Sequence, residues 1–330
     1  MNGMNRKLKA ALCGTGSSLP ARIVPNDEFV ATIDTSDEWI RTRTGIRERR
    51  FVGPDETSAS LGIAAARCAL ASAQIAPTDL DLIVCATVTP DMMTPANACA
   101  IQAALGCRAI PSFDISAACT GFLYAMSVGE QFIRSGAARY VMIVGAEVLS
   151  RVVDYSDRNT CILFGDGAGA AVLGVAEHPD QGIHGVRLFS DGANQHLIQV
   201  PGMVTPQPAN SANRLQHIRM NGREVFRFAV CRMIELIEDA VLECQRTGRQ
   251  IDLLIPHQVN QRIIDAALES TGFPADKVMV NLDRYGNTSA ASVPIALDEA
   301  MRDNRTKPGD TLLLVAFGGG LTWGSAIITL

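Results

Sequence analysis

Asp81-Leu82-Ile83-Val84 recurs as Asp252-Leu253-Leu254-Ile255, 171 residues on (252 − 81). Val141-Met142-Ile143-Val144 recurs at the same spacing as Leu312-Leu313-Leu314-Val315 (312 − 141 = 171). Between these anchors Phe113-Asp114-Ile115 stands against Val280-Asn281-Leu282 (280 − 113 = 167). Cys119 stands against Asn287 (287 − 119 = 168), each just before a helix. Four segments in one order at nearly constant spacing point to a duplicated unit. The competing account is that apolar strands of any layered α/β chain match by chance; the near-constant spacing favours duplication. The halves then fall at 1–178 and 179–330.

The repeated stretches belong to short, continuous apolar runs that read as buried strands: Leu82–Ala86, Tyr140–Gly145, Gly169–Val175, Asp252–Ile255, Leu312–Ala316 and Ser325–Thr329. Helix-length segments lie between them, at Ser58–Ile75, Ala96–Leu105, Gly121–Ser135, Glu224–Gln245 and Gln261–Thr271. Strands alternating with helices predict α/β layers on largely parallel sheets. Pro201–Asn213, rich in Pro, Asn and Ser, reads as a surface loop.

Only 19% of the 330 residues are charged, against about 25% in an average globular chain. With 28 glycines, this suggests buried backbone, tight turns and a large oligomer interface. A net charge of −5 argues against nucleic-acid binding through overall charge. The nine cysteines contain no C-x-x-C pair, which disfavours zinc sites and a disulfide framework and predicts reduced thiols in the cytoplasm. Arg6, Lys7 and Lys9 precede an apolar run too short for a signal peptide, and no stretch approaches the ~20 apolar residues of a membrane helix.

Few residues are placed for chemistry. Cys119, in Ser116-Ala117-Ala118-Cys119-Thr120-Gly121-Phe122, precedes an amphipathic helix, whose N-terminal dipole and free N–H groups favour a thiolate. A cysteine is also commonly a small buried hydrophobe. His257 follows a strand in Ile255-Pro256-His257-Gln258, where α/β folds present site residues, though a satisfied structural histidine reads as well. Asn287, in Gly286-Asn287-Thr288-Ser289, reads as an ordinary turn or as a third member of a shared cleft. Phe317-Gly318-Gly319-Gly320 is either a hairpin turn or a source of free N–H groups for an oxyanion. Gly14-Thr15-Gly16 and Gly165-Asp166-Gly167-Ala168-Gly169 lack the context of phosphate loops; the second reads as a tight crossing between sheets. Trp39 begins a basic stretch with Arg41, Arg43, Arg47, Arg49 and Arg50. That is a solvated face or a purine-and-phosphate site suited to coenzyme A.

Taken in order, these motifs resemble the thiolase-superfamily condensing enzymes of the β-ketoacyl-[acyl carrier protein] synthase III family. The resemblance runs from Thr35-Ser36-Asp37-Glu38-Trp39-Ile40 and Arg43-Thr44-Gly45-Ile46-Arg47 to the terminal Gly-Gly-Gly-x-Thr-Trp-Gly-Ser. It implies a thiolase-like fold, two similar halves in a five-layered α-β-α-β-α arrangement. It implies Cys119 as nucleophile, with an oxyanion hole from the N–H groups of Cys119 and Gly319. His257 and Asn287 would stabilise the enolate formed when malonyl-acyl carrier protein (ACP) loses carbon dioxide. Trp39 and Arg158 would sandwich the adenine of CoA, with Arg43 near its phosphates. Thr35, Gly222, Phe226 and Asn260 would line the pantetheine channel, and Arg227 and Arg262 would meet the acidic ACP. No metal or cofactor beyond the CoA thioester is implied; the partners are acyl-CoA, malonyl-ACP and a second copy of the chain. Two departures bear on the primer: Val259 narrows the channel, and Thr94 stands where relatives carry Phe or Leu projecting across the dimer, a smaller gate suited to longer or branched acyl groups. The competing readings are acyl transfer to a hydroxyl or amine, a cysteine hydrolase, and a non-catalytic partner subunit.

Overall fold

The computed structural model describes residues 8–202 and 217–330. Most of the loop expected over Pro201–Asn213, and Arg6 and Lys7, lie outside the described residues. Strand β1 (Ala10–Ser18) is followed by a small ribbon, β2 (Arg22–Pro25) and β3 (Glu48–Phe51), enclosing helices α1 (Asp27–Val30) and α2 (Asp37–Thr44). Then come α3 (Ser58–Ala73), β4 (Leu82–Ala86), α4 (Asn97–Leu105), β5 (Ser112–Ile115), α5 (Gly121–Arg134), β6 (Val141–Val148) and β7 (Asp166–Val175). Past them run β8 (Gly182–Ser190), the short pair β9 (Ile198–Gln199) and β10 (Arg219–Met220), α6 (Gly222–Arg246), β11 (Leu253–Pro256) and α7 (Gln261–Thr271). The chain ends with α8 (Leu282–Tyr285), α9 (Ser292–Arg302), β12 (Thr311–Gly318) and β13 (Thr322–Thr329).

Two sheets carry the architecture. One runs β1-β7-β6-β4-β5 and the other β8-β13-β12-β11, with Val278 bridging Leu254 where the first sheet has β5 beside β4. The similar halves are therefore visible as one strand order used twice. The sheets are mixed, not largely parallel as expected. β4 runs parallel to β5 and β6, and β11 to β12, while β1–β7, β6–β7, β12–β13 and β13–β8 are antiparallel. Only residues 319–321 join β12 to β13, and a parallel step needs a crossover of a dozen residues or more.

The apolar strands are continuous because both of their faces are covered. Leu82, Val84, Leu312 and Leu314 face inward onto the central helices, packing with Phe122, Leu123 and Met126 of α5 and Val293, Leu297 and Ala300 of α9. Their neighbours point the other way, as the period of two in a strand requires. Ile83 packs with Leu61 and Ala65 of α3 and Ile101 of α4. Leu313 and Val315 pack with Met233 and Leu236 of α6 and Ile264 of α7. The five layers are thus α3/α4, sheet, α5/α9, sheet, α6/α7.

The glycine clusters serve this layering. A Cβ on Gly16 would lie 2.3 Å from the Ala69 nitrogen, so β1 and α3 touch backbone to backbone. A Cβ on Gly169 would lie 2.7 Å from the Ile295 nitrogen, so the close approach there is of β7 to a central helix, not of sheet to sheet. Within the basic stretch, Arg49 does not face solvent. It is fully buried, donating to the carbonyls of Val24 and Ile162 and to Asn26 Oδ1.

Candidate active site

Cys119 sits in a 3-10 turn, Ala118–Thr120, that feeds directly into α5. The equivalent turn of the second half is Ser289–Ala291, feeding α9, and Ala118 and Ser289 open the two turns with φ of 46° and 49°. The 171-residue spacing therefore holds here, and Ala290 (290 − 119 = 171), not Asn287, is the counterpart of Cys119. The matching slipped because the Ile83–Ser112 and Leu254–Val278 pairings are offset by only 166 (278 − 112). The second half regains the five residues around α8 before its turn.

The β12–β13 hairpin abuts the cysteine. A Cβ on Gly318 would lie 2.8 Å from the Cys119 nitrogen and 2.9 Å from its Cβ. The Thr322 hydroxyl pins the hairpin tip to this turn, 3.0 Å from Thr120 Oγ1 and 3.2 Å from the Ala117 carbonyl oxygen. The sequence left a hairpin and a site loop as alternatives; the segment is a hairpin whose tip adjoins Cys119. Cys119 and Gly319 line a cavity of about 1350 Å³ together with Thr94, Phe113, Ile115 and Ser289.

The thiol departs from expectation. Burial pushes it up to about 12; the Ser289 hydroxyl pulls it down and the Glu147 carboxylate pushes it up further. A helix N-terminus contributes about 0.3–2 kcal/mol, against about 4 kcal/mol for moving a thiol from 9.0 to about 12. Desolvation therefore opposes the helix dipole and favours the neutral thiol.

His257 follows β11 and is 1% exposed. Its backbone N–H donates to the Val315 carbonyl at 2.7 Å, and its ring meets Phe317 edge-on at 5.5 Å. Nδ1 has no hydrogen-bond partner, and burial lowers the imidazole to about 3, so it is neutral. Gln258 fixes the loop: its amide donates to the carbonyls of Pro256 and Met279 and accepts from the N–H groups of Asn281 and Leu282. Asn287 is held by backbone bonds to Leu163 and Gly165, and its Oδ1 accepts from Ser289 N–H at 2.8 Å. His257 thus lies against the residue before Gly318, and Asn287 is tied to Ser289, which bears on the thiol.

His257 and Asn287 are not among the residues that line this cavity, and neither are the other candidates apart from Thr94. The guanidinium carbons of Arg158 and Arg43 lie 5.1 and 5.8 Å from the Trp39 indole centre, and Arg158 also donates to the Asp34 carbonyl at 2.8 Å. Asn260 caps α7 and donates to the Arg43 carbonyl at 3.1 Å. Arg262 lies 5.6 Å from the Phe226 ring, joining α7 to α6. Thr35 Oγ1 is buried without a partner, a Cβ on Gly222 would meet Met220 Cε at 3.8 Å, and exposed Arg227 pairs with Glu224. Sequence reasoning missed Ser289, Gln258 and Glu147 as parts of the site. A lone acid inside the apolar run Val141–Val148 was the readable signal for Glu147, since an unpaired acid is seldom fully buried.

Among the described residues, no group of three or more His, Cys, Asp or Glu is placed to hold a metal, and no helix is long and apolar enough to cross a membrane. Residues 113–192 match the family 3-oxoacyl-[acyl-carrier-protein (ACP)] synthase III, and residues 243–330 match its C-terminal region. The chain is 49% identical to a β-ketoacyl-[acyl-carrier-protein] synthase III of Rhizorhabdus wittichii, over 97% of this chain and 99% of that one. It superposes on the crystal structure of 3-oxoacyl-[acyl-carrier-protein] synthase III from Aquifex aeolicus with a TM-score of 0.89, at 43% identity over 97% of this chain and all of the other. The priming β-ketosynthase of the R1128 polyketide pathway gives 0.91 at 36% identity, covering 100% of this chain and 99% of that one. A cysteine at the mouth of a central helix, a hairpin pressed on it and likeness along nearly the whole length agree: the chain belongs to the β-ketoacyl-[acyl carrier protein] synthase III family.

Proposed function

We propose that Cys119, His257 and Asn287 divide the work of a decarboxylative Claisen condensation. The enzyme condenses an acyl-CoA primer with malonyl-ACP to give β-ketoacyl-ACP, CoA and carbon dioxide, the step that initiates fatty-acid synthesis. The observation that carries the assignment is the position of Cys119, beside the Gly318–Gly319 hairpin in the wall of the large cavity. Its sulfur attacks the primer thioester, the N–H groups of Cys119 and Gly319 hold the oxyanion, and CoA leaves. Malonyl-ACP then loses carbon dioxide, His257 and Asn287 donate to the enolate oxygen, and the carbon attacks acyl-Cys119.

Trp39, Arg158 and Arg43 are the proposed CoA head-group site, Thr35, Gly222, Phe226 and Asn260 the pantetheine channel, and Arg227 and Arg262 the ACP contact. Thr94 is the proposed acyl-pocket gate. We place the half boundary at 1–178 and 179–330, between β7 and β8. A cytoplasmic homodimer fits the nine free thiols and the exposed Met92 and Met93 beside the cavity. The chemistry requires no cofactor beyond the CoA thioester. Acyl transfer to a hydroxyl or amine is not favoured, since relatives at 45–49% identity carry the condensing enzyme's name. Intact-mass measurement tests the division. Cys119→Ala gains no acyl adduct from acyl-CoA, whereas His257→Ala loads but releases no carbon dioxide from malonyl-ACP. Condensation at the normal rate by the His257 variant overturns the assignment.

A further inference from the structure

Arg49, in β3, is a fully buried cation, and no Asp or Glu pairs with it among the described residues. Burying a charge without a counter-ion is costly. An apolar side chain of similar length would fill the same space against the Phe29 ring, whose centre lies 4.7 Å from the guanidinium carbon. What a guanidinium adds is a planar fork of donors aimed in two directions. Nη1 donates to Asn26 Oδ1 at 2.8 Å and to the Val24 carbonyl at 3.1 Å. Nη2 donates at 2.7 Å to the carbonyl of Ile162, 113 residues on.

Ile162 opens the segment that holds Asn287. The next carbonyl, that of Leu163, accepts from the Asn287 N–H at 2.8 Å, and the Gly165 N–H donates to the Asn287 carbonyl at 3.0 Å, so Phe164 and Asn287 pair like strand residues. The turn before this segment bonds within itself, Cys161 N–H to the Asp157 carbonyl and Leu163 N–H to the Thr160 carbonyl. The Arg49 fork is what ties it to β3. The Arg49 stem packs against the same pairing: a Cβ on Gly165 would lie 3.1 Å from Arg49 Cβ, and one on Gly286, the residue before Asn287, 3.4 Å from it. The other arm of the fork is anchored in turn, because Asn26 Nδ2 donates to Asp37 Oδ1 in the first turn of α2 at 2.9 Å and to the Ile46 carbonyl at 2.8 Å. Asn287 spends Oδ1 on the Ser289 N–H, which leaves Nδ2 as its donor. Where that donor points depends on where residues 162–165 sit.

We propose that Arg49 is a positioning residue for Asn287: its fork fixes residues 162–165, and their backbone aims the Asn287 amide at the enolate oxygen formed when malonyl-ACP loses carbon dioxide. This rests on the reading of Asn287 as an enolate donor. Arg49 itself touches no substrate, and no proton leaves it. Cys119 is braced from another direction, by the β12–β13 hairpin and Thr322. Loss of Arg49 therefore separates the two half-reactions, sparing acyl loading and impairing decarboxylation.

The test measures both half-reactions in Arg49→Met, which keeps the bulk of the stem and removes the donors. Rapid quench and intact mass give the rate of acyl loading from acetyl-CoA. Carbon dioxide released from carboxyl-labelled malonyl-ACP gives the rate of decarboxylation on the acetylated enzyme. Loading should stay close to native while decarboxylation falls about 10²-fold, the cost of ~1 Å of misplacement. Arg49→Lys keeps the charge without the planar fork and should lose about tenfold, half that effect on a logarithmic scale. A double-mutant cycle traces the route: once Asn287→Ala has removed the amide, Arg49→Met should slow decarboxylation no further. A merely structural arginine would instead lower both half-reactions in proportion, and its effect would multiply with that of Asn287→Ala. Should Arg49→Met not fold, Arg49→Lys carries the same two measurements and the same cycle. Equal losses in the two half-reactions, native decarboxylation by either variant, or multiplying losses in the cycle overturns the positioning role. Native decarboxylation by Asn287→Ala would instead overturn the enolate reading on which it rests.

Discussion

Replacing Gly318 by alanine perturbs the reaction centre without touching a side chain that does chemistry. The added Cβ would lie 2.9 Å from Cys119 Cβ and 2.8 Å from its nitrogen, while ordinary contact begins at 3.4 Å. Something must move by about 0.5 Å (3.4 − 2.9). The obstacle is backbone, and the hairpin is pinned to the same turn through Thr322, so the two sides cannot simply part. Overpacking of this kind costs about 1–3 kcal/mol, a fall in Tm of about 1.5–4 °C at this chain length. A 1 Å misplacement of a reacting group costs about 10²-fold in rate, so half of that predicts acyl loading about tenfold slower. Rapid-quench intact mass gives the loading rate, and calorimetry or thermal melting gives the Tm. Gly185→Ala in β8 is the control, because nothing lies within 4 Å of a Cβ there; it should leave both quantities unchanged. Native loading and native Tm in Gly318→Ala would show that the hairpin does not press on Cys119, and the oxyanion role of Gly319 would lose its geometric basis.

Acid sensitivity follows from the buried imidazole. His257 stays neutral down to about 3, whereas an unfolded histidine takes its proton near 6.5, so stability falls as the pH drops through that window, by up to about 1.4 kcal/mol per pH unit. Urea melts should show a shallower loss in His257→Gln between pH 6.5 and 3; His184, lowered to about 4, acts equally in both proteins and cancels in the difference. An equal slope refutes the buried neutral ring. Trp39→Ala should raise the KM for acyl-CoA about tenfold, from the ~1–3 kcal/mol of base stacking, and leave the loading rate at saturation intact; an unchanged KM removes Trp39 from the CoA site. Arg262→Glu should raise the KM for malonyl-ACP severalfold at low salt and converge with the native enzyme near 0.5 M salt, about where screening is complete. Thr94→Phe should cut turnover of octanoyl-CoA more than that of acetyl-CoA, and equal losses would deny Thr94 the gate.

What the sequence disclosed depended on whether a segment's own residues set its structure. Helix α7 spans Gln261–Thr271 as expected because both ends are locally coded: Asn260 caps it through the Arg262 N–H and Gly272 closes it at φ 66°. β4 was equally plain, five apolar residues buried on both faces. β1 and β8 were not, because Gly14, Thr15 and Gly16 break the apolar run of one and His184, Gly185 and Arg187 that of the other. Their strand character comes from pairing with β7 and β13. For the same reason nothing local marks His184 as a strand residue, yet it lies in β8 with Nε2 2.7 Å from Thr329 Oγ1. Cys119, His257 and Asn287 stood out in motifs, but the close approach of Gly145 to the Ala290 carbonyl joins segments 145 residues apart (290 − 145). No local pattern encodes that meeting; it arises because both halves feed their 3-10 turns into the same interlayer space.

The charge state of the site bears on which chemistry it suits. A cysteine hydrolase works through a thiolate–imidazolium pair, which needs solvent or fixed polar groups to hold two charges. Here burial drives both members the other way, the thiol up to about 12 and the imidazole down to about 3. The buried Nδ1 has no acceptor to support an imidazolium. For hydrolysis that is a handicap. For condensation it is an asset, since the carbon nucleophile left by decarboxylation must reach acyl-Cys119 before it meets an acidic proton. A neutral imidazole and the Asn287 amide can polarise the enolate oxygen while neither surrenders a proton to carbon. The same burial favours the protonated cysteine before loading, and a thiol resists oxidation and alkylation better than a thiolate does.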